Sequence, residues 1–167
     1  MIHSELERLM NTYGDGITRM CYLYLKDWYL AEEATQETFI KAYRYFDTFR
    51  NQASEKTWLT RIAINTCKNY ARTSWFKKVQ VGVTKKEENI VSFEEELLST
   101  IEQNEILNQV SRLQHKYKEV ILLYYYQEMK IGEVAEVLNI SEGTVKMRLN
   151  RARKKLGECL REVNIYG

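Results

Sequence analysis

Six cations fall within ten positions near the carboxyl-terminal end of the 167-residue chain: Lys146, Arg148, Arg151, Arg153, Lys154 and Lys155. At that density long cationic side chains neutralise phosphate oxygens, and they also hydrogen-bond base edges in a major groove. A second set, Arg61, Asn65, Lys68 and Arg72, recurs at steps of four, three and four, which aligns one polar, basic helical face able to follow a phosphate backbone. The chemistry on offer is nucleic-acid recognition. Groups for bond breaking are not assembled: His3 and His115 stand isolated, and there is no metal-ligand spacing, phosphate loop or nucleophile–base arrangement. The expectation is a protein that is not an enzyme and uses no metal, cofactor or small-molecule substrate. Cys21, Cys67 and Cys159 form no short Cys-x-x-Cys or Cys/His cluster and are expected to be reduced and mostly structural.

These cations need helices to present them, and the composition favours helices. Proline is absent, glycine numbers 7, and 44% of residues are hydrophobic, enough for packed cores. The net charge of +2 conceals alternating blocks. Residues 1–48 carry 5 Lys/Arg against 8 Asp/Glu, 49–86 carry 9 against 1, 87–128 carry 3 against 9, and 129–167 carry 8 against 5. Any single block reads as a solvated helix face, but a basic block following an acidic one in each half points to two charged working surfaces. No apolar run approaches the roughly 20 residues needed to span a bilayer, and no signal peptide is apparent, so a cytoplasmic protein is expected.

Apolar periodicity divides the chain. Residues 4–26 place Leu6, Leu9, Met10, Tyr13, Ile17, Met20, Cys21 and Tyr24 at helical steps, with Gly14 and Gly16 as points of bending. Residues 30–46 form a second helix, with Ala31, Ala34, Thr38, Ala42 and Phe46 inward and Glu33, Gln36, Glu37, Lys41 and Arg44 outward. A third helix begins near Thr57 and runs through Trp58, Leu59, Ile62, Ala63, Thr66 and Tyr70 into the basic region 72–78. Over residues 77–96 the period fails, and Val79, Val81 and Val83 alternate as a short extended stretch. This charged segment reads as a flexible, extended linker that does not by itself set the relative placement of two modules. The period resumes with Leu97, Leu98, Ile101, Ile106, Leu107 and Val110 and continues through Val120, Ile121, Leu123 and Tyr124.

The second module contains a helix-turn-helix. Residues 131–138 make a short helix with Val134, Ala135 and Leu138 inward, Asn139, Ile140 and Ser141 form the turn, and Ser141 is placed to cap the next helix. Glu142 suits the positive end of that helix's dipole. Val145, Leu149, Ala152 and Leu156 give one buried stripe and leave the cations outward, as a helix entering a major groove requires.

The stretch RLQHKYKEVILLYYYQEMKIGEVAEVLNISEGTVKMRLNRARKKL resembles region 4 of bacterial sigma factors, most of all the short extracytoplasmic-function (ECF) group, through its GTVKMRLNRARKKL segment. AEEATQETFIKAYRYF resembles the core-polymerase-binding helix of sigma region 2, and TWLTRIAINTCKNYAR resembles its promoter-melting helix. The resemblance implies an all-α protein of two small helical domains joined by a flexible linker: region 2 over residues 1–76, linker over 77–96, region 4 over 97–167. Departures occur where Gln114 and His115 replace a frequent proline, so a continuous helix is expected there. Leu30, Ala34 and Thr35 also differ from the common residues around the polymerase-binding helix.

By the same resemblance, the partners are the RNA polymerase core, promoter double-stranded DNA, the displaced −10 single strand and an anti-sigma factor, frequently membrane-bound in this group. Lys146, Met147, Asn150 and Arg151 correspond to base-edge contacts in the −35 element, and Arg148, Arg153 and Lys154 to phosphate contacts, with Ser141 and Thr144 at the head of the same helix. Phe49, Ile62 and Asn65 match positions that contact the displaced −10 strand, with residues 50–56 shaping a pocket for an extruded base. Arg61, Lys68, Asn69 and Arg72 complete that surface. Glu33, Gln36, Glu37, Lys41 and Arg44 form the polymerase-docking face. Trp58 reads as core, and Trp75 and Phe76 have no assigned role. Rival readings are a helix-turn-helix regulator acting without polymerase, which predicts a receiver or ligand domain upstream, and a helical adaptor that binds only proteins.

Overall fold

The structure is a computed structural model that describes residues 2–49, 53–81 and 104–166. Seven α-helices appear among them, and no strand: α1 (Ile2–Leu25), α2 (Trp28–Tyr45), α3 (Glu55–Val81), α4 (Glu105–Arg112), α5 (His115–Ile121), α6 (Ile131–Leu138) and α7 (Glu142–Tyr166). A single 3-10 turn, Phe46–Thr48, follows α2, and a π-helical turn, Leu122–Tyr126, extends α5. None of the described helices is long and apolar enough to cross a membrane.

The first three helices pack against one another. Gly14 and Gly16 lie within an uninterrupted α1. Lys26 then takes a left-handed conformation (φ 55°), and the Asp27 carboxylate accepts a hydrogen bond from the Leu30 backbone N–H at 3.0 Å, which satisfies one of the unpaired donors that open α2. Ala31, Ala34 and Ala42 of α2 and Ala63 of α3 are buried, and their small side chains allow helix axes to approach closely. Leu9, Ile17, Met20, Leu59 and Ile64 are buried among the helices, as is Phe39. Met10, read from periodicity as inward, is exposed: a helical stripe spans more arc than the core covers at its edge. Ser54 caps α3 by accepting from the Thr57 backbone N–H at 3.1 Å.

In the second module α4, α5 and α6 all pack on α7. Val145, Leu149 and Ala152 of α7 are buried with Val120, Leu123 and Val134, and Leu156 is half-buried at the edge. Ile106, expected inward, is exposed on short α4. Gln114 adopts an extended backbone (φ −58°, ψ 148°), so the chain breaks between α4 and α5 instead of continuing as one helix. That conformation is open to many residues besides proline, and loss of the proline does not restore the helix.

One expectation about the linker changes. The helical backbone of α3 reaches Val81, so Val79 and Val81 are not extended: once nucleated, helix hydrogen bonding propagates residue by residue. Val83, the rest of the segment to residue 96, and Leu97, Leu98 and Ile101 lie outside the described residues. The placement of the modules, which the linker was not expected to set, comes from direct contacts between them. Helix α1 packs against α4 and α5, and α3 packs against α6.

Candidate nucleic-acid interface

The helix-turn-helix is assembled by local chemistry. The backbone N–H of Lys130 donates to Glu133 Oε1 (3.2 Å) at the start of α6, and Asn139 ends it in the left-handed region (φ 55°, ψ 48°), which asparagine tolerates better than most residues. Ser141 Oγ accepts from the Thr144 N–H at 3.1 Å and lies 2.8 Å from its hydroxyl, the cap expected from sequence. Once Val145, Leu149 and Ala152 point inward, Lys146, Met147, Asn150, Arg151, Arg153 and Lys154 are exposed together, with Arg148 half-buried.

Two of the cations are already engaged: Lys155 lies over the Tyr117 ring at 5.4 Å, and Arg153 is held more extensively. It donates through Nε to the Tyr125 hydroxyl and through Nη1 to Asn150 Oδ1 (3.2 Å), and lies over the Tyr124 and Tyr125 rings at 5.7 and 5.4 Å. It joins α7 to the π-helical turn. Tyr125 is itself exposed, an aromatic beside the basic face that spacing did not single out.

On α3, Arg61, Asn65, Asn69 and Arg72 are exposed and Lys68 and Ile62 half-buried, so the four-three-four spacing does produce one polar face. Arg72 Nη2 lies 3.4 Å from Asn69 Oδ1. Phe49 stacks on Trp58 with centroids 4.7 Å apart, and Phe46 meets Trp58 edge-on at 6.3 Å. Thr48, Phe49, Ala53, Thr57, Trp58 and Arg61 line a cleft of about 240 Å³ with Glu136 from α6 at its border. Trp58, read as core, is only partly buried and forms one wall. Of the loop 50–56, Arg50, Asn51 and Gln52 lie outside the described residues.

On α2, Gln36 and Arg44 are exposed and Glu33 half-buried. Glu37 and Lys41 pair at 2.8 Å, and Lys41 Nζ also reaches Thr66 Oγ1 at 3.3 Å, which ties α2 to α3. Lys41 and the Tyr70 hydroxyl hold the Glu37 carboxyl below its ordinary range, while burial and Glu37 push Tyr70 up to about 12. Ile40 and Tyr43 stand exposed beside these residues, an apolar component of the face that a reading of charge alone passed over.

A further cluster had no sequence signal. Lys118 is 1% exposed and Glu119 5%, immediately ahead of the apolar run that begins at Val120. Lys118 Nζ donates to the Tyr24 carbonyl at 2.9 Å, near the C-terminal end of α1, where a cation suits the helix dipole. Glu119 Oε1 accepts from the Tyr24 hydroxyl at 2.8 Å and lies 3.8 Å from Lys68 Nζ. His115 stacks on Tyr24 at 4.8 Å. Burial pushes Lys118 down to about 8 and holds the Tyr24 phenol above its usual range, where Glu119 adds to the effect. Cys67, against Cys21, is raised by that thiol contact and by burial. Both thiols are fully buried, as a structural role requires.

Comparison with known proteins places this geometry in a family. Residues 9–77 match the family described as Sigma-70 region 2, and residues 103–156 match Sigma-70, region 4. The chain is 33% identical over 165 residues to the ECF RNA polymerase sigma factor SigW of Bacillus subtilis (strain 168), covering 93% of this chain and 88% of that one. It is 31% identical over 156 residues to the ECF RNA polymerase sigma factor SigM of the same organism, covering 90% and 92%. The fold is similar to that of CnrH in complex with the cytosolic domain of CnrY (TM-score 0.70, 22% identity, 96% of this chain and 90% of that one). It is also similar to RpoE in complex with the anti-sigma factor NepR from Bartonella quintana (TM-score 0.73, 20% identity, 94% and 97%). With both of its helical modules matched in order, and relatives of this identity aligned over nearly its full length, the chain belongs to the sigma-70 family of RNA polymerase sigma factors, in the extracytoplasmic-function group.

Proposed function

We propose that this chain docks on the RNA polymerase core through α2 and directs it to promoters, with region 2 (residues 1–76) reading and opening the −10 element and region 4 (residues 97–167) reading the −35 element. The observation that carries this reading is the pairing of two complementary surfaces: an exposed basic face on a capped, anchored helix, and an aromatic cleft at the foot of a polar helical face. The first suits duplex DNA. The second suits an unstacked base, because Phe49 and Trp58 offer ring faces while Arg61 and Asn65 offer hydrogen bonds. Lys146, Met147, Asn150 and Arg151 contact base edges. Ser141, Thr144, Arg148, Arg153 and Lys154 hold the adjoining backbone. Ile62, Lys68, Asn69 and Arg72 extend the −10 surface beyond the cleft, and Glu33, Gln36, Glu37, Lys41 and Arg44, joined by Ile40 and Tyr43, meet the polymerase.

The chain supplies binding energy and specificity and the polymerase performs the chemistry, so the protein itself is not an enzyme and works in the cytoplasm. An anti-sigma factor is the expected negative partner, given that the RpoE of similar fold was solved with one. The testing experiment is run-off transcription with core polymerase over a promoter library, comparing the intact chain with Arg151→Ala and Asn65→Ala. Arg151→Ala is expected to weaken −35 recognition by about 1–3 kcal/mol, or roughly 5- to 150-fold. Asn65→Ala is expected to bind promoter duplex normally and fail chiefly in strand opening, read by permanganate reactivity. Absence of selective initiation by the intact chain would reject the reading, and equal activity of both variants on every promoter would reject the residue assignments.

A further inference from the structure

The two walls of the −10 cleft belong to different parts of the chain. Thr48 and Phe49 follow the C-terminal end of α2, whereas Thr57, Trp58 and Arg61 ride on the first two turns of α3. The width of the cleft and the 4.7 Å stack of Phe49 on Trp58 therefore depend on how the head of α3 is turned about its own axis. Close packing does not fix that angle by itself. Behind the head, between Thr12, Tyr13 and Gly16 of α1 and Lys56 and Thr60 of α3, lies a gap of about 260 Å³ that Gln127 also lines. Beside this gap the link from α1 to the head is polar: Arg8 Nη2 donates to Glu55 Oε1 at 2.6 Å and Nη1 to Glu55 Oε2 at 3.2 Å, and the Tyr13 hydroxyl lies 3.4 Å from the same carboxylate. Glu5 accepts from Arg8 Nε at 3.0 Å, so the guanidinium fork is oriented before it meets Glu55. The bonds from Lys56 to the Gln127 carbonyl and from Thr57 to Glu133 run outside the first module, and within it α1 holds the head through Glu55.

We propose that Arg8, oriented by Glu5 and joined by Tyr13, is a positioning residue for the −10 cleft: its two-pronged bond to Glu55 sets the angle of the head of α3, with it the placement of Trp58 against Phe49, and so the base that the cleft prefers. The proposal rests on the assignment of that cleft to the −10 strand. Arg8, Glu5, Tyr13 and Glu55 do not line the cleft, and they act on it only through α3. An exposed ion pair in general contributes little, because two long side chains must be ordered and solvent screens the charge. This one differs in its geometry. Two guanidinium nitrogens meet two carboxylate oxygens, and Glu55 is half-buried in the first turn of α3, where a carboxylate also suits the positive end of the helix. Arg8 accordingly holds the Glu55 carboxyl below its ordinary range. A base seated against ring faces is discriminated by fit, and a wall displaced by about 1 Å loosens that fit without removing any contacting group. The effect falls on selectivity more than on yield.

The test uses the full-length chain with core polymerase and a promoter library randomised over the −10 element. At each position it reads the ratio of run-off product from the preferred base to the mean of the other three. Phe49→Ala identifies the position whose base enters the cleft, as the one where this ratio collapses. The native ratio there should be about 5- to 150-fold, the range for one misread base. Arg8→Gln should lower it by roughly three- to fivefold, with the other positions and −35 duplex affinity unchanged. Arg8→Lys keeps the charge and loses the fork, and should behave as Arg8→Gln. Glu55→Gln breaks the same pair from the other end and should give the same profile, with circular dichroism and duplex binding reporting the fold of each variant. An unchanged ratio at the cleft position in Arg8→Gln and Glu55→Gln overturns the proposal. So does a loss of fold in both, or a fall in product that is uniform across the library, since either marks a merely stabilising ion pair. A native ratio in Arg8→Lys overturns it as well, because charge alone would then suffice. In each of these cases selective initiation by the native chain leaves the promoter function standing, whereas its absence, or a Phe49→Ala variant that changes no position, removes the reading of the cleft and the proposal with it.

Discussion

Arg153 shows how one side chain divides between fold and partner. Its guanidinium is held by the Tyr125 hydroxyl and Asn150 and lies over two tyrosine rings, so its planar fork serves the π-helical turn before any phosphate arrives. Arg153→Lys keeps the charge and loses the fork and the stacking. Urea unfolding of Arg153→Lys is expected to show a loss of about 0.5–1 kcal/mol, the scale of an exposed cation–π contact, with −35 duplex affinity falling less than in Arg151→Ala. Arg151 is exposed and makes no such bond among the described residues, and its removal should leave stability within about 0.5 kcal/mol of native.

At the scale of elements, four of the seven helices open on a side-chain cap: Asp27 for α2, Ser54 for α3, Asn104 for α4 through a bond from the Leu107 N–H, and Ser141 for α7. Helix α1 is the least well served by its own residues, because two glycines sit in its interior. A methyl group added at Gly14 or Gly16 meets nothing within 4 Å. Each Gly→Ala change is therefore expected to stabilise the chain by roughly 0.5–1 kcal/mol, seen as a raised thermal midpoint, since alanine restricts the unfolded chain without crowding the folded one. A decrease in the midpoint would mean that α1 is not continuous through these positions. In α7 the opposite applies: Leu149→Ala is expected to cost about 2–5 kcal/mol and to abolish −35 binding through loss of the helix-turn-helix rather than of a contact.

For the whole molecule, the closed form, in which the two modules are packed together, has a stability that depends on pH. Lys118 is held down to about 8, against an ordinary 10.5, so the closed form is penalised for keeping it protonated. That penalty is present in full below about pH 8 and fades as pH rises towards 10.5, and the closed form gains stability across this window. The groups facing Lys118 are Tyr24, Glu119, Cys67, Lys26, Lys68 and His115. Lys26 is lowered by burial and acts in the same direction. Tyr24 acts the other way above about pH 10, since the closed form resists its ionisation. Urea unfolding between about pH 7 and pH 10 should show a stability that rises with pH, a rise that Lys118→Met abolishes; a stability independent of pH would contradict the burial of Lys118.

Much of the fold was legible because its determinants are local. The span of α6, the Asn139–Ser141 turn, the Ser141 cap and the outward set on α7 follow from apolar period and capping chemistry within a few residues. The family could be read from the same segments. What the chain order could not convey was which of the exposed-looking polar groups are already engaged: Arg61 meets Glu136 across 75 positions and Lys118 meets Tyr24 across 94. Periodicity reports the face a residue takes on its own helix. It carries no information on what a distant helix brings to that face, so tertiary packing alone decided that Lys118 and Glu119 are buried, that Arg153 is held, and that the two modules lie against each other.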